Sequence, residues 1–76
     1  MDPHAVALCE RVDALVDIVA ELGDDAMHAL MCVNHHAYAL LEGGDAAALQ
    51  EAVANLAELA AAVGPVAELV DAASAL

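Results

Sequence analysis

The chain has almost no positive charge. Arg11 is its one cation among 76 residues, against 13 carboxylates, so the formal net charge is −12. Proteins bind phosphate groups through Lys and Arg, and the shortage of both argues against nucleic acid as a direct ligand and against an anionic membrane surface. The acidity fits two explanations: solubility or adaptation to high salt, and binding. For binding, the partner that this charge favours is a basic protein surface, including a groove that otherwise holds nucleic acid.

Side chains suited to catalysis are also scarce. The chain has no Thr and one Ser, Ser74, which lies near its C-terminal end. Cys32 could pair with His28 or His35, but a pair mounted on one helix of a small bundle has no cleft and no oxyanion hole beside it. The one Gly-Gly pair is typical of a helix end rather than of a phosphate-binding loop. We therefore predict that the protein is not an enzyme.

Large apolar side chains and cysteines are few. There is no Phe or Trp and one Tyr, whereas 21 residues are Ala. A core of Leu and Val has a small margin of stability at this length, and self-association or a bound partner would bury more area. Cys9 and Cys32 are too few for a disulfide framework, and no secretory signal or membrane span is visible. We expect a cytoplasmic protein in which both cysteines are buried as small apolar groups.

Apolar residues recur every three or four positions through most of the chain, which is the period of a helix. Asp2, Asp24 or Asp25, and Asp45 are candidate N-caps of successive helices. Glycines follow the first two predicted helices, and a Gly-Pro pair follows the third. The predicted helices span residues 3–22, 25–42, 46–63 and 66–75.

The linkers between these segments are short, so we expect consecutive helices to pack antiparallel. No segment shows the alternation of apolar and polar residues that is typical of a strand. The sequence predicts a single all-α domain over residues 1–76, a small antiparallel bundle of three main helices plus a short C-terminal fourth helix.

The second helix is unusual because residues 26–41 carry no Asp, Glu, Lys or Arg. A helix with no charge on any face is usually covered by protein on most sides. Its aliphatic residues centre one face, and His28, Cys32 and His35 lie opposite, with His36 to one side. Asn34 and Tyr38 border the aliphatic face and are expected to pack and to fix register. We expect the protein to form a homo-oligomer through this helix.

The histidines and Cys32 also allow a metal site. Imidazole and thiolate are preferred ligands of zinc and copper, so His28, Cys32, His35 and His36 are the candidate ligands. One straight helix rarely directs more than two side chains at one ion, and a complete site needs a second element. Cys9, Glu51 or a second subunit could provide it. Two other roles stay open for these histidines: polar contacts between helices, and pH sensing.

The function that these patterns favour is a non-enzymatic, acidic helical protein-interaction module. It would bind a basic protein surface, as an inhibitor or antitoxin-like protein does. We expect no resident cofactor, unless zinc or copper binds. The alternatives are a metal-binding helical protein that uses the His/Cys stripe and a purely structural, self-associating subunit.

Arg11, near Glu10 and Asp13, is expected to form a weak surface pair. The predicted partner-binding residues are Asp13, Asp17, Glu21 and Glu51 for steering, and His28, Cys32, His35 and Tyr38 for specificity.

Overall fold

The computed structural model describes residues 3–76, and within them it contains four helices and no strand. These are α1 (Pro3–Ala20), α2 (Asp24–Leu40), α3 (Ala46–Leu59) and α4 (Gly64–Ser74). The all-α prediction is therefore confirmed for this part of the chain. The predicted N-cap Asp2 lies outside the described residues. In the same range, no helix is long and apolar enough to cross a membrane.

Each helix buries one stripe of apolar residues, as the period of three or four predicts. Leu and Val supply the large side chains, and the small residues Ala37 and Ala60 are buried among them. Ten of these side chains are almost completely buried, namely Val12, Leu15, Val19, Leu30, Val33, Leu49, Val53, Leu56, Val66 and Leu69. No polar or charged side chain of residues 3–76 is buried. The core is held together by apolar packing.

The four helices form a ring in which each has two neighbours. α1 packs against α2 and α4, and α3 packs against the same two helices. Within residues 3–76, the Cα atoms of α1 and α3 do not approach within 8 Å of each other. The amide of Gln50, near the start of α3, donates a hydrogen bond of 3.0 Å to the carbonyl of Ala73, near the end of α4. α4 thus lies between α1 and α3 and contributes to the core, although it is the shortest of the four helices.

The boundary between α3 and α4 differs most from the prediction. α3 ends at Leu59 instead of residue 63, and α4 begins at Gly64 instead of residue 66. Pro65 lies in the first turn of α4, where its missing N–H needs no partner, so the Gly-Pro pair begins α4 rather than ending α3. Val63, in extended backbone geometry, is the N-cap. The early start allows Val66 and Leu69 to reach the core.

The caps of α2 and α3 differ in kind. Asp45 accepts a hydrogen bond of 2.9 Å from the amide of Ala47, which confirms it as the N-cap of α3. The N-cap of α2 is Gly23, at φ +111° and without a side-chain bond. The prediction that Asp24 or Asp25 caps α2 is therefore wrong. Both lie inside the first turn, where a negative charge interacts favourably with the helix dipole.

Two glycines close the C-terminal end of α2. The amide of Gly44 donates to the carbonyl of Ala39 at 2.8 Å, and the amide of Gly43 donates to that of Leu40 at 3.2 Å. This pair of bonds is a Schellman motif, and Gly43 has the positive φ, +89°, that the motif requires. A Cβ atom at Gly44 would lie 2.8 Å from the Ala39 oxygen. Glycine is therefore needed at both positions, for backbone conformation at the first and for space at the second.

Candidate binding surfaces

Exposed carboxylates occur on every helix of the molecule, although none lies in residues 26–41. Every Asp and Glu in residues 3–76 is exposed, and these residues occur on all four helices and in the turns. The guanidinium of Arg11 lies 3.8 Å from the carboxylate of Glu68, on α4, rather than beside Glu10 or Asp13. Both side chains are exposed, so the pair contributes about 0–1 kcal/mol. Arg11 is thus paired with a carboxylate of the same molecule, on the side formed by α1 and α4.

The residues of the predicted His/Cys stripe line two different depressions beside α2. His28, Cys32 and His36 line a shallow depression of about 390 Å³ on the α3 side, together with Glu51 and Asn55. His35 lines the depression on the α1 side. His28, Cys32 and His35 are all exposed, and a spacing of seven residues brings His28 and His35 to nearly the same direction on the helix. The three therefore lie on the ridge of α2 between the two depressions and do not line one common pocket.

The second surface, which we call the α1/α2 groove, is lined mainly by apolar side chains. It has a volume of about 230 Å³ and is formed by Val16, Met27, Leu30, Met31, Asn34 and His35. Met31 is 60% exposed and Val16 is 37% exposed. The sequence patterns did not identify Val16, Met27 or Met31 as binding residues. The available signal was the pair of methionines four positions apart, within the uncharged segment and off its buried face.

Asp13 connects α1 to α2 at the edge of this groove. The hydroxyl of Tyr38 donates to Asp13 Oδ2 at 2.8 Å, and the side-chain amide of Asn34 donates to Asp13 Oδ1 at 3.3 Å. Both oxygens of the carboxylate are therefore used, and two consecutive turns of α2 are held against one residue of α1. The expected role of Asn34 in register has a physical basis in this contact. Asp13 was predicted to steer a partner, and in the structure it also positions two side chains.

The carboxylate of Asp13 perturbs two neighbouring groups. The pKa of Tyr38 is raised, chiefly by its hydrogen bond to Asp13, with smaller effects from burial and from the charges of Asp13 and Cys9. Burial raises the pKa of the Cys9 thiol, and the charge of Asp13 adds to this effect. Cys9 is buried as expected, whereas Cys32 is exposed. The expectation that both cysteines are buried is wrong for Cys32, because this residue lies on the solvent-facing side of α2, in the depression beside α3.

Replacing Asp13 with Ala is expected to lower the pKa of Tyr38 towards its ordinary value of 10.0. A raised pKa means that the folded state holds the phenol proton more tightly than the unfolded state does. The stabilisation is present below pH 10 and is lost as the pH rises through the folded-state pKa. The phenolate absorbance reports this titration directly, because the chain has one Tyr and no Trp.

Asp17→Ala is the matched control for this titration. It removes the same charge one turn further along α1, and no hydrogen bond between its side chain and Tyr38 is present in the described residues. Its Tyr38 pKa should stay raised. Equal titration curves for the two variants would contradict the assigned bond.

A complete metal site is not assembled within the described residues. Among residues 3–76, no group of three or more His, Cys, Asp or Glu side chains is placed to hold a metal ion. The rings of His35 and His36 meet edge to face, with centroids 5.3 Å apart, and these two residues open towards different grooves. Glu51, which was considered as a ligand from a second element, lines the same depression as His28 and Cys32, but the described residues do not form a three-ligand group there.

Glu21 lies apart from both grooves, in the turn that follows α1, where it is exposed. Asp17 is exposed on α1, next to Val16 of the α1/α2 groove. The predicted partner-binding residues are thus spread over two surfaces and one turn. Comparison with known proteins gives no further assignment, because no protein-family model, no curated protein and no solved structure matches this chain.

Proposed function

We propose that this protein is a non-enzymatic, acidic helical module that binds a basic protein surface, as a small inhibitor or antitoxin-like protein does. The observation that carries the proposal is the surface charge. The formal net charge is −12, every described carboxylate is exposed, and Arg11 is paired with Glu68. Surfaces that serve solubility alone usually mix both signs of charge.

Charge of one sign has a specific use in association. It attracts an oppositely charged partner over distances beyond contact and raises the association rate. It also discourages binding to nucleic acid and to other acidic proteins, since like charges repel. A protein that covers a nucleic-acid-binding groove benefits from both effects, because its carboxylates take the place of phosphates.

Self-association through α2 remains a second proposal. Its favouring observation is that α2 keeps Met31 and Tyr38 exposed after the bundle is formed. Against it, two chains of the same strong charge repel each other, most of all at low ionic strength. We therefore place the heterologous partner first.

Capture of the partner from a native extract at low salt tests the proposed function. We expect a basic protein to be retained in stoichiometric amount, and its affinity to fall steeply as salt is added. Nucleic acid should compete with this chain for the isolated partner. Absence of a partner at low salt, or binding that salt does not weaken, would contradict the proposal.

Two charge variants sharpen this experiment. The triple variant Asp17→Asn, Glu21→Gln, Glu51→Gln removes three predicted steering carboxylates and leaves Asp13 in place. The control, Glu42→Gln, Glu58→Gln, Asp71→Asn, removes three other exposed carboxylates. The net charge changes equally in both. The first variant should bind the captured partner more weakly than the control, mainly through a slower association rate.

A further inference from the structure

The α1/α2 groove combines an apolar floor with a polar edge. Leu30 closes its base and is 1% exposed, whereas Met31 and Val16 project from its two walls. Methionine is flexible and polarizable, and surfaces lined with it adapt to partners of different shape. A volume of about 230 Å³ is small for a drug-sized ligand, whose pockets are about 300–1,000 Å³. The groove is suited to a few side chains of a second protein.

The charges around the groove have one sign. Asp13 lies at its edge, held by Asn34 and Tyr38, and Asp17 follows Val16 on the same helix. The one Arg of the chain lies on the α1/α4 side and is paired there with Glu68. Among the groove residues, His35 is the one with a basic side chain. A ligand in this groove therefore meets apolar contacts beside carboxylates.

The depression between α2 and α3 is larger than the α1/α2 groove, but different kinds of side chain line it. It is lined by His28, Cys32, His36, Glu51 and Asn55, with small alanines between them. None of the large apolar side chains that remain exposed in residues 3–76 belongs to it. It therefore provides no apolar anchor comparable to Met31.

We propose that the α1/α2 groove is the docking site for a basic amphipathic helix of the partner protein. Its apolar residues would lie along Val16 and Met31, and its Lys or Arg residues would meet Asp13 and Asp17. A helix presents apolar residues three and four positions apart, which suits a groove between two packed helices. A second copy of this chain is a poorer occupant, because it would bring carboxylates to carboxylates. This inference rests on the proposed function and adds the site and the class of ligand.

Binding of designed peptides to the full chain tests the groove. The probe is a fluorescent amphipathic peptide of Leu and Lys, about 14 residues long, the usual length of a protein helix. The controls are a scrambled peptide of the same composition and a peptide with Glu in place of Lys. We expect the Leu/Lys helix to bind at low salt, the scrambled peptide to bind more weakly, and the Glu peptide not to bind. Amide-resolved NMR should place the largest shifts at Val16, Met31 and Asn34.

Two substitutions of exposed apolar residues distinguish binding in this groove from attraction by the net charge of the molecule. Met31→Gln removes the apolar anchor, and Leu59→Gln changes a residue at the end of α3 that is 52% exposed and outside the groove. Neither alters the net charge. Met31→Gln should weaken binding of the Leu/Lys peptide about tenfold, because an apolar contact is lost. Leu59→Gln should leave the affinity unchanged.

The outcomes distinguish this inference from the proposed function. Equal affinities of the two variants, with binding that salt still weakens, would overturn the groove and leave the proposed function standing. Failure of the Leu/Lys peptide to bind even at low salt would overturn the groove, and the proposed function would then stand or fall with the capture experiment alone. Light scattering gives the solution mass in parallel. A dimer that Met31→Gln converts to a monomer would show that a second copy occupies the groove, and would overturn the basic-helix proposal.

Discussion

Leu69→Ala lowers the free energy of unfolding by about 2–5 kcal/mol, the usual cost of removing a buried leucine side chain. Leu69 is on α4 and is completely buried. Small domains have about 5–15 kcal/mol of stability in total, so this loss brings the chain close to unfolding. The physical reason is the position of α4 between α1 and α3, where the side chain fills the common core. Thermal and urea unfolding, followed by helical circular dichroism, measure the effect.

Leu76→Ala is the control, since Leu76 follows α4 and is 39% exposed. It should change stability by no more than about 0.5 kcal/mol. Comparison of Leu69→Ala with Leu76→Ala also tests how α4 contributes to the bundle. A Leu69→Ala protein that loses the helicity of α4 alone, and unfolds otherwise like the parent, would mean that α4 is an addition to a three-helix core. A single cooperative transition at lower temperature would mean that all four helices fold as one unit.

We expect salt to raise the stability of this protein steeply. The molecule measures 32 × 19 × 19 Å, and the Debye length is about 30 Å at 0.01 M ionic strength and about 3 Å at 1 M. At low salt, every carboxylate therefore repels every other. Two like charges about 15 Å apart in water repel by about 0.3 kcal/mol, and the many pairs in the chain together reach several kcal/mol. The unfolded chain separates its charges and relieves part of this repulsion.

The measurement is the free energy of unfolding in urea, an uncharged denaturant, across a series of sodium chloride concentrations. We expect it to rise by several kcal/mol from low to molar salt. The triple variant that replaces Glu42, Glu58 and Asp71 with their amides is the control, and its stability should depend less on salt. Equal slopes for parent and variant would mean that salt acts through burial of apolar surface instead of through screening.

The helices could be predicted from sequence because their period and caps are local properties. The apolar period predicts a buried stripe from Leu8 to Leu22, which is confirmed as far as Val19, whereas Leu22 is 47% exposed in the turn after α1. Asp45 caps α3, as its position before the apolar stripe indicated. The α3/α4 boundary could not be predicted in the same way. A Gly-Pro pair is typical both of the end of one helix and of the start of the next, and local sequence does not decide between the two.

The surfaces were harder to predict, because they depend on which helix lies beside which. His28 and His35 are close on a helical wheel, yet His28 lines the depression beside α3 and His35 lines the α1/α2 groove. Arg11 pairs with Glu68, 57 positions away in the sequence, across a contact that no local pattern contains. The Asp13–Tyr38 bond likewise depends on the register of α1 against α2. The residue types of the site were visible in the sequence, whereas their neighbours needed the fold.

Carboxylates occur on every helix but not in residues 26–41, so the negative field surrounds most of the molecule and is weaker over the uncharged face of α2. A basic partner is attracted from most directions, so the field increases how often the two meet more than it turns them to face one another. The orientation of the partner must then come from contacts made after the encounter, with exposed apolar side chains such as Met31 and Val16. Recognition would proceed in two stages, a frequent and loosely oriented encounter followed by a search across the surface, and salt would act on the first stage far more than on the second.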